Sequence, residues 1–204
     1  MSEPKAKQNN WNLPNALTTL RIVMVPFFGW ALLVDGGDSV LWRTVAWAIF
    51  VAAMVTDKVD GDIARSRNLV TNFGKIADPI ADKALTGMAF VGLSIIGELW
   101  WWVTVVVLLR EWGITLLRLW VIRYGVMAAS SGGKLKTLLQ TFALGLFVLP
   151  VKILQDRWGV AGDVLWGVAV VLMAAAVAVT VVTGVDYVVK ALAVRRAGRA
   201  PRTS

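Results

Sequence analysis

Six long apolar runs separated by short polar connections set the pattern of this chain, at residues 15–34, 41–60, 77–97, 100–122, 137–155 and 163–189. Each is near the ~20 residues that a helix needs to cross the hydrocarbon of a bilayer. Helix is predicted for all six, because backbone groups in lipid must be satisfied within the segment. Small residues recur within the runs, as in MAAAVAVTVVTG at 173–184, which suits close helix packing in a membrane. Trp100, Trp101 and Trp102 cluster where one run begins, as in an interfacial aromatic belt. The expected fold is an all-α integral membrane protein with six transmembrane helices.

Composition agrees with the pattern. Of 204 residues, 57% are hydrophobic and 17% charged, and mean hydropathy is +0.67, too apolar for a soluble domain of this size. The length suits one compact bundle. Cysteine and histidine are both absent, which excludes disulfides, thiolate metal sites and the usual general base. The net charge is +8, and its placement orients the chain. Arg65, Arg67 and Lys75 fall in one connection, and Arg118, Arg123, Lys134 and Lys136 in or near another. Lys5 and Lys7 precede the first run, and Lys190, Arg195, Arg196, Arg199 and Arg202 end and follow the last. The alternate connections hold Arg43, Lys152 and Arg157, diluted by Asp35, Asp38, Glu98, Asp156 and Asp163. By the positive-inside rule both termini are expected in the cytoplasm, which requires an even number of spans. The first run carries Arg21 and Pro26 and is too long for a signal peptide's apolar region, so no cleavable signal is expected. The expected organisation is a cytoplasmic or interfacial segment at 1–14, a six-helix domain at 15–190 and a basic cytoplasmic tail at 191–204.

One stretch breaks the apolar pattern. Residues 56–85 read TDKVDGDIARSRNLVTNFGKIADPIADKAL and place Asp57, Asp60, Asp78 and Asp82 in or beside segments otherwise suited to lipid. Unpaired charge is costly there, so these carboxylates read as functional. On a helix, Asp57, Asp60, Gly61, Ala64 and Arg65 share one face. The small residues allow close approach, and the arginine suits an anion. Asp78 and Asp82 are one turn apart on the next helix, and Pro79 after Asp78 suggests that this helix begins at the site. Four carboxylates without histidine or cysteine form an oxygen-only set suited to Mg²⁺, Mn²⁺ or Ca²⁺. Their charge is enough for two divalent ions, an arrangement used in phosphoryl transfer. The competing account, helix caps or ion pairs with Lys58, Lys75 and Lys83, does not require four aspartates.

The stretch matches D-x2-D-G-x2-A-R-x8-G-x3-D-x3-D at every fixed position: Asp57, Asp60, Gly61, Ala64, Arg65, Gly74, Asp78 and Asp82. In this it resembles the CDP-alcohol phosphatidyltransferase family, whose six-span layout also covers nearly the whole chain. The resemblance implies transfer of a phosphatidyl group from CDP-diacylglycerol to an alcohol, with release of CMP. It implies a dinuclear Mg²⁺ or Mn²⁺ centre on Asp57, Asp60 and Asp78, with Asp82 also touching metal and acting as the base. It further implies that Gly61, Arg65 and Thr71, and Pro14, Asn15, Leu17 and Thr18 at the start of the first run, contact CDP-diacylglycerol. A homodimer in the cell membrane is implied as well, with no nucleic-acid partner.

The acceptor alcohol must be read elsewhere. Arg110, Glu111 and Arg118 lie in the fourth run (LREWGITLLRLW), and Lys134 and Lys136 precede the fifth. Arg110, Arg118, Lys134 and Lys136 could form an anion pocket for a phosphorylated acceptor. The alternatives are positive-inside placement of the lysines and, for Arg110, snorkelling or pairing with Glu111. Together NLPNALTTLR, DPIADK, LREW and GKLKT most resemble family members that use sn-glycerol 3-phosphate. Members that use inositol phosphate, or phosphatidylglycerol to make cardiolipin, share the core. A divalent-cation transporter is the reading from another class, but it would need polar residues continuing across the membrane.

Overall fold

The computed structural model describes residues 12–67, 71–121 and 132–199, and among them every regular element is helical. In chain order these are α1 (Leu13–Leu33), a 3-10 turn (Val34–Gly37), α2 (Val40–Ser66), α3 (Asn72–Ile95), α4 (Trp101–Val121), α5 (Gly132–Val148), the single turn α6 (Gln155–Trp158) and α7 (Val160–Arg199). The chain divides into two compact units, one of Met1–Ile96 with Val148–Ile153 and one of Gly97–Phe147 with Leu154–Ser204.

In the first unit α1 packs against both α2 and α3. Its start is fixed by Asn12, whose side chain accepts a hydrogen bond from the Asn15 N–H at 3.0 Å, with Pro14 in the first turn. It ends where Asp35, Gly36 and Gly37 take positive φ, a turn that two glycines make inexpensive. Ser39 then caps α2. Glycine lets α1 and α3 approach closely: a Cβ on Gly92 would lie 2.6 Å from Leu32, and one on Gly29 would lie 2.7 Å from Met88. Phe28, Leu32, Phe50, Leu85, Phe90 and Leu93 fill the core between the three helices, with the Phe28 and Phe50 rings 5.8 Å apart. Arg43 is buried in the same unit and donates through Nε to the Val148 carbonyl at 3.1 Å.

In the second unit α4 packs along α7. Val103, Val107 and Ile114 of α4, and Ala169, Met173, Ala176 and Tyr187 of α7, are buried. The outward residues of α7, among them Val164, Val171, Val182 and Val189, are exposed apolar side chains of the kind lipid would cover.

Among the described residues three helical segments are long and apolar enough to cross a membrane, Leu13–Gly37, Val40–Ser66 and Val160–Ala193. The helices α3 and α4, of 24 and 21 residues, have the length. Their apolar runs are interrupted by Asp78, Asp82 and Lys83 and by Arg110, Glu111 and Arg118. One detail differs from the sequence expectation. The third helix does not begin at Asp78 and Pro79. Thr71 is its N-cap, with its hydroxyl oxygen accepting from the Gly74 N–H at 3.0 Å, so Pro79 falls inside it. The last helix continues through Arg199, where Ala191, Ala193 and Ala197 keep the sequence helix-favouring.

Candidate active site

The start of α1, the end of α2 and the start of α3 wall a cavity of about 190 Å³. Pro14, Asn15 and Thr18 come from α1, Asp60, Gly61, Ala64 and Arg65 from α2, and Thr71, Gly74, Lys75 and Asp78 from the α3 N-terminus. Each group follows from its local structure. The residues of α2 lie one turn apart on one face, as their spacing predicts. Those of α3 sit in its first turns, beneath the Thr71 cap.

Hydrogen bonds lock the wall. The Thr71 hydroxyl donates to Asn15 Oδ1 at 2.8 Å while accepting from Gly74, which ties the cap of α3 to the first turn of α1. The Thr18 hydroxyl lies 2.6 Å from Asp78 Oδ1 and 3.0 Å from the Pro14 carbonyl; its single proton serves the charged acceptor better. A Cβ on Gly74 would come within 3.2 Å of Asn15 Oδ1, so a larger residue there would press on the bonded Asn15 side chain. Arg65 pairs with Asp62 at 2.8 Å and is largely exposed at the rim, where it is free to turn toward an anion.

Six of the seven residues expected to contact CDP-diacylglycerol, namely Pro14, Asn15, Thr18, Gly61, Arg65 and Thr71, line this cavity, and half-buried Leu17 does not. Asp60 and Asp78 also line it. Asp57 and Asp82 lie one turn away along α2 and α3 and are not part of its wall. Lys75 is a wall residue that the sequence offered as a topological charge or an ion-pair partner of the aspartates, not as a site residue.

Arg21 was missed altogether as a site residue. Its guanidinium, 1% exposed, donates Nη1 to Asp57 and Nη2 to Asp60, whose side chains are 41% and 4% exposed. The signal was present: Arg21 is the single charge in ALTTLRIVMVPFFGWALLV, and it falls on the same helical face as Pro14 and Thr18.

The donor set fits hard divalent cations, being oxygen-only, with Asp60 and Asp78 facing one cavity from two helices. Among the described residues no three acidic side chains converge tightly enough to enclose an ion unaided, and Arg21 supplies the positive charge at the α2 pair.

The basic residues expected to bind an acceptor phosphate belong to the second unit. Arg110 donates to Glu111 Oε1 and to Thr183 Oγ1, each at 2.9 Å, and lies over the Tyr187 ring. Lys136, 5% exposed, donates to the same Glu111 oxygen. The structure thus brings Arg110 and Lys136 together around one carboxylate. The side chains of Arg118 and Lys134 lie outside the described residues.

A family model described as CDP-alcohol phosphatidyltransferase matches residues 11–182. The chain belongs to the CDP-alcohol phosphatidyltransferase family. It is 55% identical over 181 residues to a "Probable phosphatidylglycerophosphate synthase" of Mycobacterium tuberculosis, a match covering 89% of this chain and 82% of that one. It is 40% identical over 149 residues to the "CDP-diacylglycerol--glycerol-3-phosphate 3-phosphatidyltransferase" of Bacillus subtilis, covering 68% and 77% of the two chains. An Escherichia coli protein of the same description is 37% identical over 160 residues, covering 74% and 84%. The family's match spans the whole cavity wall, from Pro14 to Asp78.

Proposed function

We propose that this protein transfers the phosphatidyl group of CDP-diacylglycerol to sn-glycerol 3-phosphate, giving phosphatidylglycerophosphate and CMP. The observation that carries this reading is the cavity with carboxylates of two helices on one wall and basic side chains at its rim, in a chain whose relatives bear that enzyme's name.

The cavity holds the CDP moiety. Arg65 and Lys75 attract the diphosphate, and Asn15, Thr18 and Thr71 present polar atoms to the nucleotide. Gly61 and Gly74 keep the backbone approachable. Two divalent ions, Mg²⁺ or Mn²⁺, held by Asp57, Asp60, Asp78 and Asp82 would offset the diphosphate charge and that developing on CMP. Thr18 fixes one oxygen of Asp78, and Arg21 fixes one oxygen each of Asp57 and Asp60, so the remaining oxygens are pre-oriented. Asp82 takes the proton of the acceptor's primary hydroxyl as its oxygen attacks the β-phosphorus. The new O–P bond forms as the bond to CMP breaks, and the electron pair leaves on the CMP phosphate. The acceptor's own phosphate is assigned to Arg110 and Lys136, with Arg118 and Lys134, where Glu111 holds the two described cations together.

The reading includes six membrane spans with both termini cytoplasmic, a site open to the cytoplasm, and a homodimer. It is supported by α3 and α4 having spanning length and by the basic connections lying on one side of the pattern.

An acceptor panel tests it. Purified protein in detergent with CDP-diacylglycerol and Mg²⁺ should release CMP with glycerol 3-phosphate, and not with inositol 1-phosphate, serine or phosphatidylglycerol. Release with one of the others alone would reassign the acceptor; release with none would return the transporter reading.

A further inference from the structure

Arg21 belongs neither to the aspartate signature nor to the cavity wall, yet it is among the most deeply buried charges in the chain. Two of its nitrogens are spent on Asp57 and Asp60, while Nε has no hydrogen-bond partner among the described residues. The two carboxylates are therefore what holds this charge. The pair retains a net charge of −1 with the guanidinium in place, so it still attracts a cation, though less than two bare carboxylates would.

We propose that Arg21 is a resident counter-cation of the Asp57–Asp60 pair: it holds the two carboxylates together in the metal-free protein and opposes any divalent cation that shares them. The inference rests on the metal role proposed above. Without Arg21, two carboxylates one turn apart, one of them buried, would repel each other and lose their compensating charge. With it, the unit can fold before metal arrives.

Once metal binds, two effects oppose each other. A guanidinium that fixes one oxygen of each ligand orients the pair, and losing such support typically weakens binding by about 10–100-fold. Against this stands direct repulsion between Arg21 and the ion. The guanidinium touches both carboxylates, so any ion they hold is only a carboxylate's width away, in surroundings far less screening than water. A doubly charged ion at that range feels the repulsion more strongly than the loss of orientation. Among the described residues Arg21 is bonded to Asp57 and Asp60 alone, so it stays with them and lowers affinity, which keeps metal exchangeable.

The test uses the full-length protein in detergent with Mn²⁺ alone as probe, following free Mn²⁺ by electron paramagnetic resonance and melting in EDTA and in Mn²⁺. Arg21→Met should melt lower than wild type in EDTA, bind Mn²⁺ more tightly by about tenfold or more, and gain more melting temperature from Mn²⁺. Equal or weaker Mn²⁺ binding would overturn the proposal and leave Arg21 as a positioning or packing residue. Should Arg21→Met fail to fold even with Mn²⁺, Arg21→Gln decides. It removes the charge but still offers N–H donors to the carboxylates, and should bind Mn²⁺ more tightly by about tenfold; unchanged or weaker binding overturns the proposal. Wild type that binds no Mn²⁺, or Asp57→Asn and Asp60→Asn variants that bind it as well as wild type, would overturn the metal reading and this inference with it.

Discussion

Aspartates near lipid are tolerable only if another group answers each of them, as one does for Asp57, Asp60 and Asp78. Arg21 faces Asp57 and Asp60, and Thr18 donates to Asp78. The fourth, Asp82, lies one turn beyond Asp78 and is assigned the proton of the attacking hydroxyl. Asp82→Asn should cut CMP release by about 10²–10⁴-fold, the usual contribution of a general base, while CDP-diacylglycerol still binds. Full activity in that variant would remove Asp82 as the base. At this scale the signature positions were legible because their spacing puts Asp60, Gly61, Ala64 and Arg65 on one helical face. Arg21 was less legible because an arginine in an apolar run also reads as a topological charge. Only the fold shows it meeting carboxylates 36 and 39 residues away.

The helices themselves follow from the apolar runs, and the all-helical character of the chain was visible in the sequence. What the runs could not show is where a helix starts beside the site. Pro79 suggested a start at Asp78, but the Thr71 side chain caps the helix earlier and also bonds Asn15 of α1. Thr71→Val removes both bonds and should cost about 1–2 kcal/mol, read as a lower melting temperature with a raised KM for CDP-diacylglycerol. Thr71→Ser, which keeps the hydroxyl, should behave nearly as wild type; a loss in Thr71→Ser with Thr71→Val unaffected would mean that packing of the methyl group, not capping, matters. In the second unit, Glu111 gathers Arg110 from its own helix and Lys136 from α5. Arg110→Ala or Lys136→Ala should raise the KM for glycerol 3-phosphate about tenfold or more while leaving that for CDP-diacylglycerol near wild type. Equal effects on both would sink the acceptor assignment. That the two cations share one carboxylate was only half legible: the Arg110–Glu111 pairing was foreseen as an alternative, but Lys136 is distant in sequence.

For the whole molecule, the alternation of basic and dilute connections predicts both termini on the cytoplasmic face. The chain has no cysteine, so single cysteines introduced at Ser2, Ser204 and Asp38 report topology without background. Cysteines at positions 2 and 204 should resist an impermeant thiol reagent in intact cells, and the one at 38 should react; labelling at either terminus would overturn the orientation. The central claim is that the cavity walled by Asp60 and Asp78 is where CDP-diacylglycerol reacts with glycerol 3-phosphate. The most direct test is CMP release, with glycerol 3-phosphate and Mg²⁺, by purified wild type and by Asp60→Asn and Asp78→Asn variants that remain folded. The account predicts release by wild type that vanishes in EDTA and falls by at least about 10³-fold in each variant. Release near the wild-type rate in either variant, or undiminished in EDTA, would contradict it.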